Sequence, residues 1–300
     1  MAVAEVERLR TELAAAQRLA QLDSLTQIWN RRAIVELLHR EIDRARRERT
    51  RVGVVFVDLD RFKLINDSLG HNVGDLLLKA VADRLRRVVS RQEVVGRLGG
   101  DEFLIIIPRL RETQDAATLS QAVLDALSPA FDIQGRQLFI TPSIGIALCP
   151  ADGDDFPTLM RNADTAMYSA KARGGGTYHF FTKTMNESAM ARLVIENDLR
   201  EALVKDQFEL HYQPKVDLRT NRVCGLEALI RWKQPGRGYI SPMQFIPVAE
   251  ETGLIGKIGE WVFREVCRQI AEWDAQSVPA TPIAINLSPR QLIEGRITET

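Results

Sequence analysis

Three cysteines in 300 residues, Cys149, Cys224 and Cys267, are too few and too scattered for a disulfide framework, and their spacing matches no metal-ligand pattern. That usage predicts reduced thiols and a cytoplasmic protein. No apolar run approaches the ~18 residues that a membrane-spanning helix needs, and no secretory signal precedes the first charged segment. Neither charge sign is in excess. The 40 basic and 40 acidic residues cancel, so nothing suggests a nucleic-acid surface. What remains is ordinary globular material. A hydrophobic fraction of 45% supports a sizeable core, and the length fits two domains, or one and a fraction.

The most informative segment is Gly99-Gly100-Asp101-Glu102-Phe103. It lies between two apolar runs, Val94 to Leu98 and Phe103 to Ile107, and predicts a β-hairpin whose tip carries two carboxylates. Gly99 and Gly100 would let a large ligand approach the main chain. Adjacent acids offer hard oxygen ligands for Mg²⁺, although a Gly-Gly turn with solvated acids has the same sequence. Upstream, Val54 to Val57 is a bulky apolar run that predicts a strand buried on both faces, and it ends in Asp58-Leu59-Asp60. A period of two places Asp58 and Asp60 on the same face of that strand. Unpaired carboxylates at a core edge are costly, so a metal or a cationic partner is expected there.

Helices are predicted over Arg31 to Arg49, Arg61 to Leu69 and Gly74 to Val89. The last has Leu77, Val81, Leu85 and Val88 at core spacing. The first 22 residues read as one helix in which Val6, Leu9, Leu13, Ala16 and Ala20 form either the narrow seam of a two-stranded coiled coil or a surface helix packed on its own domain.

Six segments in order resemble the GGDEF-domain diguanylate cyclases: Asp23 to Arg32, Asp58 to Asp67, Gly70 to Asp75, Gly99 to Phe103, Ser143 to Ala147 and Ala163 to Lys171. The resemblance covers residues 23–182. It implies an α+β fold related to polymerase palms and nucleotidyl cyclases, preceded by the coiled-coil helix of residues 1–22. It also implies condensation of two GTP into cyclic di-GMP with Mg²⁺ or Mn²⁺, in a face-to-face homodimer. Asp58 and Asp101 would hold metal, helped by the Leu59 carbonyl. Glu102 would assist the second metal or the deprotonation of the GTP 3′-hydroxyl. Backbone amides near Arg61, Phe62 and Lys63 would meet phosphate at a helix N-terminus. Asn66 and Asp75 would read the guanine edge, and Lys63 and Lys171 would contact the triphosphate. A degenerate, GTP-binding regulatory module is the alternative.

Two departures from the family pattern stand out. Ser90 and Glu93 occupy the positions of the family's Arg-x-x-Asp product site, so no strong feedback inhibition is expected there. Gly174-Gly175-Gly176 replaces Gly-Arg-Asn, so Gly175 stands where the family has a phosphate-facing arginine, with Arg173 as a possible substitute.

A second resemblance, to the EAL cyclic di-GMP phosphodiesterases, covers residues 191–300. It rests on Phe208 to Val216, Glu227 to Trp232, Phe245 to Ile255 and Ile285 to Ser288. It implies metal ligands at Glu227 and Asn286, substrate contacts at Gln213 and Arg231, and the opening part of a β/α barrel. Such barrels need roughly 200 residues or more. Phosphodiesterase activity is therefore not expected of this chain as given.

Overall fold

The computed structural model describes residues 20–289 and 291, which divide into two compact units, one running through Asn186 and the other starting at Glu187. Apart from Ala20, the seam expected from Val6 onward lies outside the described residues. No helix among the described residues is long and apolar enough to cross a membrane.

The first unit runs α1 (Arg31–Glu48), β1 (Arg51–Leu59), α2 (Phe62–Leu69), α3 (His71–Val88), β2 (Val94–Gly99), β3 (Glu102–Leu110), α4 (Thr113–Leu127), β4 (Phe131–Ile133), β5 (Arg136–Leu138), β6 (Pro142–Cys149), α5 (Phe156–Ala172) and β7 (Tyr178–Phe180). Local chemistry sets the helix ends. The Asn30 side chain accepts from the Ala33 amide at the start of α1, and Arg46 and Arg47 sit in its last turn, where the dipole favours cations. The Asp155 side chain caps α5 through the Thr158 amide, and Pro157 lies in its first turn.

Five strands form one sheet in the order β2-β3-β1-β6-β7, antiparallel except for the parallel β6/β7 pair. The central strand β1 serves two cores. Val55, Val57 and Leu59 join Phe103, Ile105, Ile144 and Ile146 under α3 and α4. Val52, Val54 and Phe56 join Leu104, Ile106 and Ala147 under α1 and α5. The result is a mixed α+β domain with helices on both sheet faces, which is why β1 reads as an uninterrupted apolar run.

Three details differ from the sequence reading. α3 begins at His71 rather than Gly74, because Gly70 at φ 86° terminates α2 and starts α3 together. β1 ends at Leu59, so Asp60 lies in the following turn and the period of two stops before it. The short pair β4/β5 and the strand β7 were not foreseen.

In the second unit, β8 (Phe208–Asp217) follows α6 (Lys183–Ala202) and pairs antiparallel with β9 (Arg222–Gln234). After β10 (Gly238–Ile240), α7 (Pro242–Thr252) and α8 (Ile255–Ala275), β11 (Ile283–Ile285) returns parallel to β9. A strand-helix-helix-strand return of this kind is how parallel sheets are built. Trp232, fully buried, packs edge-on against Phe245 at 5.5 Å between ring centroids, and its Nε1 donates to Gln207 Oε1.

Gly145 in β6 fixes how closely α5 approaches the sheet. A Cβ at this position would lie 1.9 Å from the Ala163 carbonyl oxygen and 2.2 Å from the Met167 nitrogen. Gly145→Ala must push α5 outward and should destabilise the first unit by about 1–3 kcal/mol, as overpacking does. Urea titration should show a lower midpoint at unchanged slope.

Candidate active site

Strand pairing alone assembles the carboxylates. Asp58, the penultimate residue of β1, is directly opposite Glu102 on β3 and Ser143 on β6. By alternation these three residues share the α1/α5 face with Val54, Phe56 and Leu104. Asp101 is the turn residue before Glu102. The Leu59 side chain is buried on the opposite face, leaving its main chain at the strand end beside Asp58.

Asp58 is only 8% exposed. Burial pushes its carboxyl above the usual range; Lys171 on α5 pulls it down, while Asp101 and Asp60 add to the rise. The Lys171 Nζ donates to Asp58 Oδ1 at 2.5 Å. Glu102 is also raised, by burial and then by Asp58, Asp164 and Asp101, with Arg31 of α1 opposing. Five acids, Asp58, Asp60, Asp101, Glu102 and Asp164, thus crowd one strand end, faced by Lys171 and Arg31.

Asp60 does a different job. Its carboxylate accepts from Thr141 Oγ1 at 2.7 Å, Ser143 Oγ at 2.6 Å and the Gly176 amide at 2.9 Å. It clamps the glycine turn after α5 to the β1 and β6 ends. Asp60 lies past the end of β1 yet keeps to the side of the sheet that Asp58 faces, because it bonds Ser143, the residue directly opposite Asp58; its carboxylate is held by neutral donors. Gly175 lies against this clamp at φ +73°, where a Cβ would fall 2.5 Å from Asp60 Oδ2. In this turn an arginine does not fit at residue 175. Arg173 is exposed and sits near His179, whose pKa is lowered by burial and then by Arg173.

Phe62 is buried in the core under α3, so its side chain cannot meet a ligand and only its amide can. Arg61 precedes α2 in the left-handed conformation at φ 59° and makes no side-chain cap, leaving the first-turn amides of Phe62 and Lys63 uncapped. Lys63 is exposed. Asn66 Oδ1 is buried without a hydrogen-bond partner and lies over Gly74, where a Cβ would be 1.9 Å away. Asp75, the next residue of α3, is exposed. At Gly99 and Gly100 a side chain would meet nothing within 4 Å, so the hairpin main chain is bare.

The opening segment braces that hairpin. Asp23 accepts from Thr26 and from Arg97 Nη1 at 3.2 Å, and Arg97 donates through Nε and Nη2 to the Gly100 carbonyl at 3.0 and 2.7 Å. Burial would raise the Asp23 carboxyl, yet the Thr26 bonds and Arg97 outweigh it and hold it low. At the other end of β2, the Ser90 amide donates to Glu93 Oε2 at 2.6 Å, so these two residues close a local turn.

Among the described residues no three His, Cys, Asp or Glu side chains form a ready-made metal cage. Mg²⁺ is usually held by one or two carboxylates, waters and substrate phosphates rather than by protein alone. Asp58, Asp101 and Glu102 supply the hard oxygens it prefers.

Asp164, Arg31, Ser143 and Thr141 were not singled out as site residues from sequence. Asp164 had a signal: it precedes Lys171 by seven residues, two turns along one helix face, and it interacts electrostatically with both Lys171 and Glu102. The others are brought in only by tertiary pairing.

In the second unit, Asn286 Nδ2 donates to Glu227 Oε1 at 2.9 Å, and Lys215 Nζ is 3.6 Å from Glu227 Oε2. Asn286 and then Lys215 hold the Glu227 carboxyl below its ordinary value. Gln213 is opposite Glu227 in the β8/β9 register. Arg231 and Asn286 both line a cavity of ≈ 380 Å³ with an apolar wall that includes Ile246, Ile258 and Val262.

These features coincide with known families. Residues 20–177 match the family described as diguanylate cyclase, GGDEF domain, and residues 196–300 match the EAL domain. The chain belongs to the GGDEF family and continues into an EAL domain. The bifunctional diguanylate cyclase/cyclic di-GMP phosphodiesterase MucR of Pseudomonas aeruginosa is 45% identical over 296 residues, covering 97% of this chain and 43% of MucR. The cyclic di-GMP phosphodiesterase PdeR of Escherichia coli is 41% identical over 279 residues, 93% of this chain and 42% of PdeR. The chain thus spans less than half the length of these curated relatives. The solved GGDEF domain of TpbB (YfiN) from Pseudomonas aeruginosa superposes with a TM-score of 0.55 at 34% identity, covering 56% of this chain and 99% of that one. The coiled coil and GGDEF domain of DgcB from Caulobacter crescentus, in complex with c-di-GMP, gives 0.54 at 32% identity, covering 60% and 95%.

Two outcomes follow from this geometry. A carboxyl raised in the folded state costs stability above its folded pKa, and the cost fades as pH falls through that pKa. Metal-free Glu102→Gln should therefore melt higher than wild type near neutral pH, and the gap should close as pH approaches the ordinary glutamate value of about 4.3. Gly175→Arg should lower stability by about 1–3 kcal/mol through left-handed strain and contact with Asp60, measured by denaturant unfolding.

Proposed function

We propose that residues 23–182 form a diguanylate cyclase unit that condenses two GTP into cyclic di-GMP in the cytoplasm, and that residues 191–300 begin an EAL phosphodiesterase domain. The observation that carries the reading is the register of β1 with β3, which sets Asp58 against Glu102 beside Asp101 at the end of a buried strand. A bound Mg²⁺ or Mn²⁺ would neutralise phosphoryl charge and lower the pKa of an attacking oxygen.

The chain's own residues supply the remainder. Asp58, Asp101, Glu102 and the Leu59 carbonyl are the metal-holding set. Glu102, whose pKa burial raises, would assist the second metal or take the proton of the 3′-hydroxyl. The uncapped amides of Phe62 and Lys63 and the Lys63 ammonium receive phosphate oxygens at the α2 N-terminus. The unpartnered Asn66 Oδ1 and the exposed Asp75 carboxylate accept from the N1–H and amino group of guanine, a donor pair that adenine lacks. Each unit holds one GTP, so two chains must meet face to face for each 3′-oxygen to reach the other's α-phosphorus. Support from relatives is split: MucR is named for both activities and PdeR for the phosphodiesterase.

A second reading, a GTP-binding regulatory module for the EAL domain, is favoured by one observation. The turn around Gly175 is built on Asp60 and has no room for the family's phosphate-facing arginine. Incubation of the purified chain with Mg²⁺ and GTP, with products separated by chromatography, decides between the two. The cyclase reading expects cyclic di-GMP from wild type, a fall of about 10²–10³-fold in Asp101→Ala, and none after chelation. GTP binding without product supports the regulator.

A further inference from the structure

Lys171 stands in two roles that conflict. By family resemblance it meets the triphosphate, yet here its ammonium is committed to Asp58 Oδ1 at 2.5 Å. The pair is unequal. The Asp58 side chain is 11% exposed, whereas that of Lys171 is 38% exposed and ends a flexible four-carbon stem. Asp58 needs a counter-charge, since it is buried among Asp101, Asp60 and Glu102; Lys171 gives up that pair only where another anion is offered. Lys171 also interacts with Asp164 on its own helix, which gives it an anion to lean on away from Asp58.

A divalent ion would take a carboxylate oxygen at about 2.0–2.1 Å. It would then share Asp58 with an ammonium already at hydrogen-bond distance, and the two cations repel. Metal without nucleotide must therefore displace Lys171 into solvent or toward Asp164. Metal arriving with a nucleoside triphosphate meets no such cost, because the phosphates accept the ammonium.

We infer that Lys171 is a built-in counter-ion for Asp58 that makes divalent-metal binding conditional on the triphosphate. The inference rests on the reading of Asp58 as a metal ligand. It predicts ordered loading, with little metal bound before nucleotide and both bound after. By linkage, whatever the nucleotide does for the metal, the metal does for the nucleotide.

The test uses Mn²⁺ alone, without nucleotide, with free Mn²⁺ counted by electron paramagnetic resonance in solutions of the full chain. Lys171→Met, which keeps the stem and removes the charge, should bind Mn²⁺ about tenfold more tightly than wild type, within the usual range of coupling between sites. Lys171→Arg, which keeps a cation, should bind as weakly as wild type. The Asp58→Asn/Lys171→Met double variant should bind no more tightly than Asp58→Asn. Thermal unfolding of each variant checks that it is folded. Binding by Lys171→Met that is equal to or weaker than wild type overturns the inference, and so does tight binding by Lys171→Arg. Formation of cyclic di-GMP tests the cyclase reading separately: a chain that makes no product can still show the Mn²⁺ difference, and an active cyclase can lack it.

Discussion

A buried strand that ends in a carboxylate is the constraint on which the first unit depends. β1 lies between β3 and β6 with helices over both faces, so Asp58 emerges where solvent is scarce and like charges are near. Burying an unpaired charge is far costlier than burying an apolar side chain of the same size. The surrounding chain is arranged to meet that cost. α5 brings Lys171 onto Asp58, α1 places Arg31 near Glu102, and Gly145 allows α5 to lie close enough for this to happen.

Asp58 and Asp60 are two residues apart and have opposite fates. Asp60 is neutralised by hydroxyls and an amide, so it behaves as a joint between β1, β6 and the glycine turn. Asp58 is balanced by the partly exposed ammonium of Lys171 rather than by fixed neutral donors. This contrast explains the local sequence. Thr141, Ser143 and Gly176 serve the joint, and its tightness is what excludes a side chain at residue 175.

Much of this was legible because the fold obeys simple periodicities. Four consecutive apolar residues before Asp58 gave β1, and two apolar runs around Gly99-Gly100 gave the β2/β3 hairpin. Signals failed where one residue serves two elements or where partners are distant. Gly70 closes one helix and opens the next, so the start of α3 was displaced. Asp60 was assigned to β1 by extrapolating a period that ends at Leu59. The β4/β5 pair is three residues on each side, too short to show an alternation. Arg31, Thr141 and Ser143 reach the site only through packing and sheet register, which no local window contains.

The Asp23–Arg97–Gly100 chain gives the hairpin a mechanical connection that bypasses the sheet. The carbonyls of Ala20 and Leu22 accept from the Asn30 side-chain Nδ2, and Asp23 follows directly. From Asp23, one ionic link and one pair of hydrogen bonds lead to the carbonyl just before Asp101. Tension applied to the polypeptide at residue 20 thus reaches the acidic tip through two side chains. Arg97 works as a short rein on the turn, and the segment that begins at Ala20 is also a handle on the hairpin that carries Asp101 and Glu102.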